Sequence, residues 1–296
     1  GRGTAGGNGT GGASAGSGGM GGARVLAKAE TTIPAQYRNP VANPGKWTAK
    51  MYPAYYHGSG AAGAQLPKSA TAIMKPCNVY TPPDYDPTKE YPLIFALHGY
   101  PDNQNTWYER PNPKPTVLMD NLITAKVIQP VIAVFPLGSA TGNSNDTGGY
   151  TAFGSEMMGD LVPFIEANYK IKKGRDNRAI AGFSYGGMQT INVFLCFYLK
   201  EFSWFAALSP VSEGSSAIAA CLEKEDPKMY PVNYLYIHAG TNELASGSAK
   251  GSADGLTMKS PYITSANFTY LVTALNHEYN NSNVGLYNIL RIAFPY

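Results

Sequence analysis

The sequence predicts an α/β protein: a mostly parallel central sheet covered by helices on both faces. Three observations carry this. Residues 92–97 and 131–135 are short, continuous apolar runs, the pattern of strands buried on both faces. Such runs alternate with stretches whose apolar residues recur at helical spacing, as Met157, Leu161, Phe164 and Ile165 do. A glycine-flanked serine, Gly182-Phe183-Ser184-Tyr185-Gly186-Gly187, stands where a strand gives way to a helix. The chain of 296 residues is long enough to bury a large core in one such domain.

Taken in order, residues 1–22 are almost entirely Gly, Ser, Ala, Asn and Thr and are expected to form a flexible linker. A linker joins two things, so an upstream module is expected, and residues 23–296 form the domain. Residues 23–67 carry Pro34, Pro40, Pro44 and Pro53 and read as irregular. Residues 74–80 read as a strand containing Pro76 and ended by Pro82-Pro83. The strand over 92–97 runs into His98-Gly99-Tyr100-Pro101-Asp102-Asn103. A helix over 117–126 and a strand over 131–135 follow, then a Gly/Ser/Asn/Thr loop over 138–154. Residues 156–169 are an amphipathic helix, and 178–181 a buried strand leading into the serine. Met188, Ile191, Leu195 and Leu199 place a helix after it. A strand at 205–208, a helix at 217–224 and a strand at 234–239 come next, the last running into Gly240-Thr241-Asn242-Glu243. Residues 244–266 contain Gly247, Gly251, Gly255 and Pro261 and read as loop. A last strand over 268–275 and a closing helix over 284–294 complete the chain. In such sheets the functional site lies at the carboxyl ends of the strands.

Composition narrows the partners. Net charge is +3, only 15% of residues are charged, and no basic cluster stands out, which argues against nucleic acid or an anionic membrane surface. No apolar run is long enough to span a bilayer. The 21 tyrosines with low charge suit a secreted, carbohydrate-facing protein, and four Asn-x-Ser/Thr sequons, at Asn8, Asn145, Asn267 and Asn280, point the same way. Cys77, Cys196 and Cys221 leave at least one thiol unpaired. Cys196, in an apolar helix, reads as a small buried hydrophobe, leaving Cys77 and Cys221 as the candidate pair. No Cys/His spacing of the metal-binding type occurs, and no metal or other cofactor is expected.

The serine motif fits G-x-S-x-G, the nucleophile elbow, in the strand–turn–helix context that gives it meaning. Ser184 is the expected nucleophile. Its base must follow it in the chain, and only His238 and His277 do. His238 lies inside a strand and reads as a packed core group. His277 lies just past the last strand, at the catalytic end, and is the expected base. Glu243, shortly after its strand, is the expected acid, with Asp254 as the alternative. Backbone N–H groups of Tyr185 and of Tyr100, or of Gly99 in place of Tyr100, are expected to hold the oxyanion. Trp107 and Tyr108 are candidates for substrate contact.

Leu97-His98-Gly99, the Gly182–Gly187 motif, Gly240-Thr241-Asn242-Glu243 and Asn276-His277-Glu278-Tyr279, with Gly285-Leu286-Tyr287-Asn288 beyond, occur in this order. Over residues 70–296 the chain resembles carbohydrate esterase family 1, the feruloyl and acetylxylan esterases of the esterase D type. The resemblance implies an α/β-hydrolase fold, a serine esterase acting on acylated plant cell-wall xylan, secretion, no cofactor, and a loop-supporting role for His98. Feruloyl substrates are favoured, with acetyl as the alternative. The sequence departs from the family in two places: Glu243 stands where aspartate is usual, and Leu275-Asn276 replace two glycines before the histidine. Two other readings share these residues: a non-catalytic carbohydrate-associated module with a degenerate site, and an acyltransferase using the same triad.

Overall fold

The computed structural model describes residues 26–224 and 226–296, so the linker expected over 1–22 and the sequon at Asn8 lie outside the described residues. Among the described residues, eight strands form one sheet: β1 (Lys46–Ala54), β2 (Ile73–Thr81), β3 (Leu93–Leu97), β4 (Ile132–Pro136), β5 (Arg178–Phe183), β6 (Trp204–Leu208), β7 (Tyr234–Gly240) and β8 (Phe268–Thr273). Their spatial order is β1-β2-β4-β3-β5-β6-β7-β8. β1 and β2 are antiparallel to their neighbours and the remaining six run parallel.

Side chains alternate across each strand, and the core divides accordingly. Phe95, Leu97, Ile180, Phe205 and Ile237 face one side. There they meet α3 (Thr147–Glu156), α4 (Val162–Asn168), the helix after Ser184, α6 (Ser215–Lys224) and α7 (Ala245–Ala253). Ile94, Ala96, Ala181, Ala206 and Tyr236 face the other, against α2 (Pro115–Thr124) and α9 (Tyr279–Ala293). Both faces are therefore covered, as parallel strands without polar faces require. Two single-turn helices, α1 (Thr106–Glu109) and α8 (Leu256–Lys259), complete the count, with α5 (Tyr185–Met188) continuing into a wider π-helical stretch, Gln189–Leu195.

Several local expectations are corrected. The irregular 23–67 region contains β1, which pairs with β2 along its whole length, from Lys46 opposite Thr81 to Ala54 opposite Ile73. The loop expected over 138–154 is helical from Thr147, its N-terminus held by the Asp146 carboxylate accepting from Gly148 N–H. Its glycines lower helix propensity, but burial of Tyr150, Ala152 and Phe153 outweighs them. The 244–266 loop contains α7 and α8; Ala249, Ala253 and Leu256 pack into the core. The disulfide joins Cys196 to Cys221, with Cα atoms 5.2 Å apart, and Cys77 is the buried free thiol. The hydrophobic reading of Cys196 missed that α6 packs on the helix after Ser184, which brings the two sulfurs together. Cys77 lies on β2 with its side chain in the core, where burial pushes its thiol up to about 12.

Candidate active site

β5 delivers Ser184 at the carboxyl edge of the sheet, with a left-handed backbone at φ 55°. The turn is so tight that a Cβ on Gly182 would lie 2.0 Å from Gly186 O, and one on Gly186 2.6 Å from Leu97 O. Glycine is the only residue that tolerates either approach. Ser184 N–H donates to Leu208 O at 2.8 Å, tying the turn to β6.

Glu243, the expected acid, follows β7, and His277, the expected base, follows β8. His277 Nε2 is 3.0 Å from Ser184 Oγ, and Nδ1 is 2.7 Å from Glu243 Oε2. The other carboxylate oxygen, Oε1, accepts from Gly240 N–H at 2.5 Å and from the Ser209 hydroxyl at 2.8 Å. Burial pushes the Glu243 carboxyl up, but the hydrogen bonds from His277, Gly240 N–H and Ser209 outweigh it and hold the group below its usual range. Gly240 is needed for proximity: a Cβ there would sit 2.0 Å from Leu275 O, the chain leading to His277. The alternative acid, Asp254, lies at the end of α7, exposed and ion-paired with Lys250. His238 is fully buried, stacked on Tyr236 at 5.8 Å, and burial pulls its pKa down to about 4.

The loop after β3 completes the site. Gly99 N–H donates to the Tyr279 hydroxyl at 3.0 Å, so this amide is already engaged. Gly99 C=O accepts from His98 Nδ1–H at 2.7 Å, Asp102 N–H at 2.9 Å and Tyr150 OH at 3.4 Å. In a planar trans peptide the following N–H points opposite to the carbonyl, so the same three donors aim Tyr100 N–H. Neither Tyr100 N–H nor Tyr185 N–H has an acceptor among the described residues. His98 Nε2 accepts from Gly138 N–H at 3.1 Å, so both ring nitrogens face backbone partners and one neutral tautomer is required. Burial lowers its pKa to about 4.

Ser184 and His277 open onto a cavity of about 430 Å³. Tyr100, Pro101, Phe183 and Tyr279 give it an apolar wall, and Asp102, Arg110, Glu278 and Asn280 a polar rim. The Tyr100 ring stands 5.2 Å from that of Tyr185. Trp107 does not belong to this wall: it is fully buried, its indole N–H donating to Leu97 O at 3.0 Å and its ring edge-on to Tyr279. Tyr108 stacks on Trp47 at 4.8 Å beneath the Lys114 ammonium, likewise outside the cavity lining. Both lie within α1, where Trp107 is buried in the core and Tyr108 packs on Trp47; nothing in their spacing reveals this. Sequence reading missed Tyr279, Asp102 and Ser209. Asp102 accepts from Tyr279 OH at 2.8 Å and pairs with Arg110 at 2.9 Å. The one available signal was position: Ser209 follows a strand and Tyr279 stands two residues past His277.

A serine, an imidazole and a carboxylate joined in that order, at the carboxyl edge of an α/β-hydrolase sheet, define a serine hydrolase. The comparisons with known proteins narrow this. The putative esterase family matches residues 73–280, and the chain belongs to it. The chain is 32% identical over 193 residues to an endo-1,4-beta-xylanase/feruloyl esterase of Xylanibacter ruminicola, covering 61% of this chain and 24% of that protein. It is 30% identical over 144 residues to endo-1,4-beta-xylanase Y of Acetivibrio thermocellus, covering 44% of this chain and 12% of the relative. The chain thus spans a quarter or less of these relatives' lengths. Among solved structures, the feruloyl esterase module from Clostridium thermocellum complexed with sinapinate superposes with a TM-score of 0.72 at 20% identity, over 91% of this chain and 95% of that one. A family 1 ferulic acid esterase from Anaeromyces mucronatus, in complex with ferulic acid, gives 0.70 at 19% identity, over 90% and 97%. The resemblance to carbohydrate esterase family 1 and the α/β-hydrolase fold are both borne out.

Proposed function

We propose that the chain is the esterase module of a secreted enzyme that removes acyl groups, feruloyl in preference to acetyl, from plant cell-wall xylan. The observation that carries this reading is the hydrogen-bonded chain Ser184–His277–Glu243 opening on an aromatic-walled cavity. Ser184 Oγ attacks the ester carbonyl carbon while His277 Nε2 takes the hydroxyl proton, and Glu243 stabilises the imidazolium that forms. Negative charge on the carbonyl oxygen is met by the amides of Tyr100 and Tyr185, two donors with no competing acceptor among the described residues. Collapse expels the sugar hydroxyl, which receives the proton from His277. Water, activated by the same imidazole, then releases the carboxylic acid and restores Ser184. Tyr100 supplies exposed apolar ring surface suited to a phenolic ring, and the largely buried Phe183 and Tyr279 line the same cavity.

The xylan substrate and the upstream module rest on the relatives, two of which are named as xylanases, one of them also as a feruloyl esterase. Secretion rests on the sequons and on the Cys196–Cys221 disulfide, a bond that persists in oxidising compartments. A triad with every hydrogen bond in place gives no support to a degenerate module.

The test is Ser184→Ala assayed on methyl ferulate and acetylated xylan. Turnover of both should vanish while the circular dichroism spectrum is kept, and the parent should turn over methyl ferulate with the higher kcat/KM. An acyl adduct found by mass spectrometry on any residue other than Ser184 sinks the assignment. Adding an acceptor alcohol separates a hydrolase from a transferase by its products.

A further inference from the structure

We propose that Ser209 is a positioning residue whose hydroxyl anchors the Glu243 carboxylate, and that this anchor is what lets a glutamate stand where the family usually has aspartate. The inference rests on reading Ser184, His277 and Glu243 as the catalytic triad. Ser209 directly follows β6, the strand between the one that carries the nucleophile and the one that carries the acid. It is fully buried, its hydroxyl bonds Glu243, and it is not among the residues that line the cavity.

Ser209 has φ 47°, in the left-handed region where glycine is the least costly residue. The Ser209 amide donates to His238 O at 2.6 Å, and a glycine would keep that bond. What a glycine would lose is the hydroxyl, and the hydroxyl makes one bond, to Glu243 Oε1 at 2.8 Å. A strained residue held at a functional site invites a functional account, and this contact supplies it.

Glutamate carries one more rotatable bond than aspartate, so its carboxylate has more orientations to lose. Two donors on Oε1, Ser209 Oγ–H and Gly240 N–H, set the final torsion and leave Oε2 for His277 Nδ1 at 2.7 Å. Gly240 N–H alone would let the carboxylate swing about a single contact. The hydroxyl approaches from the neighbouring strand and closes that freedom.

The experiment compares Ser209→Gly and Ser209→Ala with the parent chain on methyl ferulate. Glycine removes the hydroxyl and relieves the backbone, whereas alanine removes the hydroxyl and keeps the strain. Both should lose about tenfold in kcat, the scale of a hydrogen bond to a charged group, with KM within about twofold of the parent. Ser209→Gly should melt no lower than the parent. The low-field proton resonance of His277 Nδ1–H should broaden or move upfield in both. A kcat for Ser209→Gly within about twofold of the parent overturns the proposal, as does a loss that falls on KM or an unmoved Nδ1–H resonance. Retained turnover in Ser184→Ala would instead overturn the triad reading itself, so the two failures are distinguishable.

Discussion

Glu243 and Asp254 were the two candidates for the carboxylate, and at the scale of the residue they differ in every respect that matters. Glu243 is enclosed, accepts three hydrogen bonds and faces His277, whereas Asp254 is exposed and spends its charge on Lys250 one turn earlier in the same helix. Glu243→Gln should keep the fold but lower kcat steeply, on the order of 10⁴ if it behaves as the acid of the serine-protease triad does. Asp254→Asn should leave kcat within about twofold, since an exposed pair of this kind contributes little. The two variants assayed side by side at one pH decide the matter, and the reverse pattern would place the acid in α7. Ser184 and His277 were legible because each follows a strand at the catalytic edge and the chain order admits few alternatives. Ser209 and Tyr279 were not, because what they touch depends on which strands become neighbours.

At the scale of the element, the helix after Ser184 has that serine at its start and Cys196 at its end, and the disulfide fastens it to α6. The closed loop has a sequence separation of 25 residues, for which loop-closure entropy gives about 2–4 kcal/mol of stabilisation. Replacing both cysteines by serine should lower the stability measured by urea unfolding by about that amount, with activity at 25 °C largely kept. An unchanged urea midpoint would show that the bond contributes nothing to the folded state. The buried strands were legible as elements because an apolar run fully enclosed between two helical layers has no polar face to confuse it. β1, α3 and α7 were not. β1 is a partly exposed edge strand, and the two helices are rich in Gly, Ser and Ala, so packing against the core rather than local propensity makes them helical.

At the scale of the whole molecule, His98 and His238 make folding sensitive to acid. Both are buried, and burial pulls both down to about 4. An unfolded histidine titrates near 6.5, so below that pH the unfolded chain binds protons that the folded chain refuses. Their contribution is therefore complete above about pH 6.5 and is lost as pH falls towards 4, at roughly 3 kcal/mol apiece at most. Asp120 and Glu156, whose carboxyls burial pushes up, act in the opposite direction over part of this range. The comparison that isolates the histidine is between the parent and His98→Asn. Tm plotted from pH 7 to 4.5 should fall less steeply for the variant, and parallel curves would show that His98 does not couple folding to pH.

By itself the sequence determined the class of fold and singled out Ser184 and His277, the proposed nucleophile and base. Buried-strand runs, helical spacing and a strand–serine–helix turn are local patterns, set by steric rules acting over a few residues. Tertiary structure decided what depends on contacts distant along the chain. It enclosed Glu243 and left Asp254 in solvent, paired Cys196 with Cys221, turned Trp107 into core, and engaged Gly99 N–H with the Tyr279 hydroxyl, while Tyr100 N–H has no acceptor among the described residues. The physical reason is the strand order. With β6 between β5 and β7, Ser209 meets a carboxylate 34 residues away and His277 reaches a serine 93 residues before it.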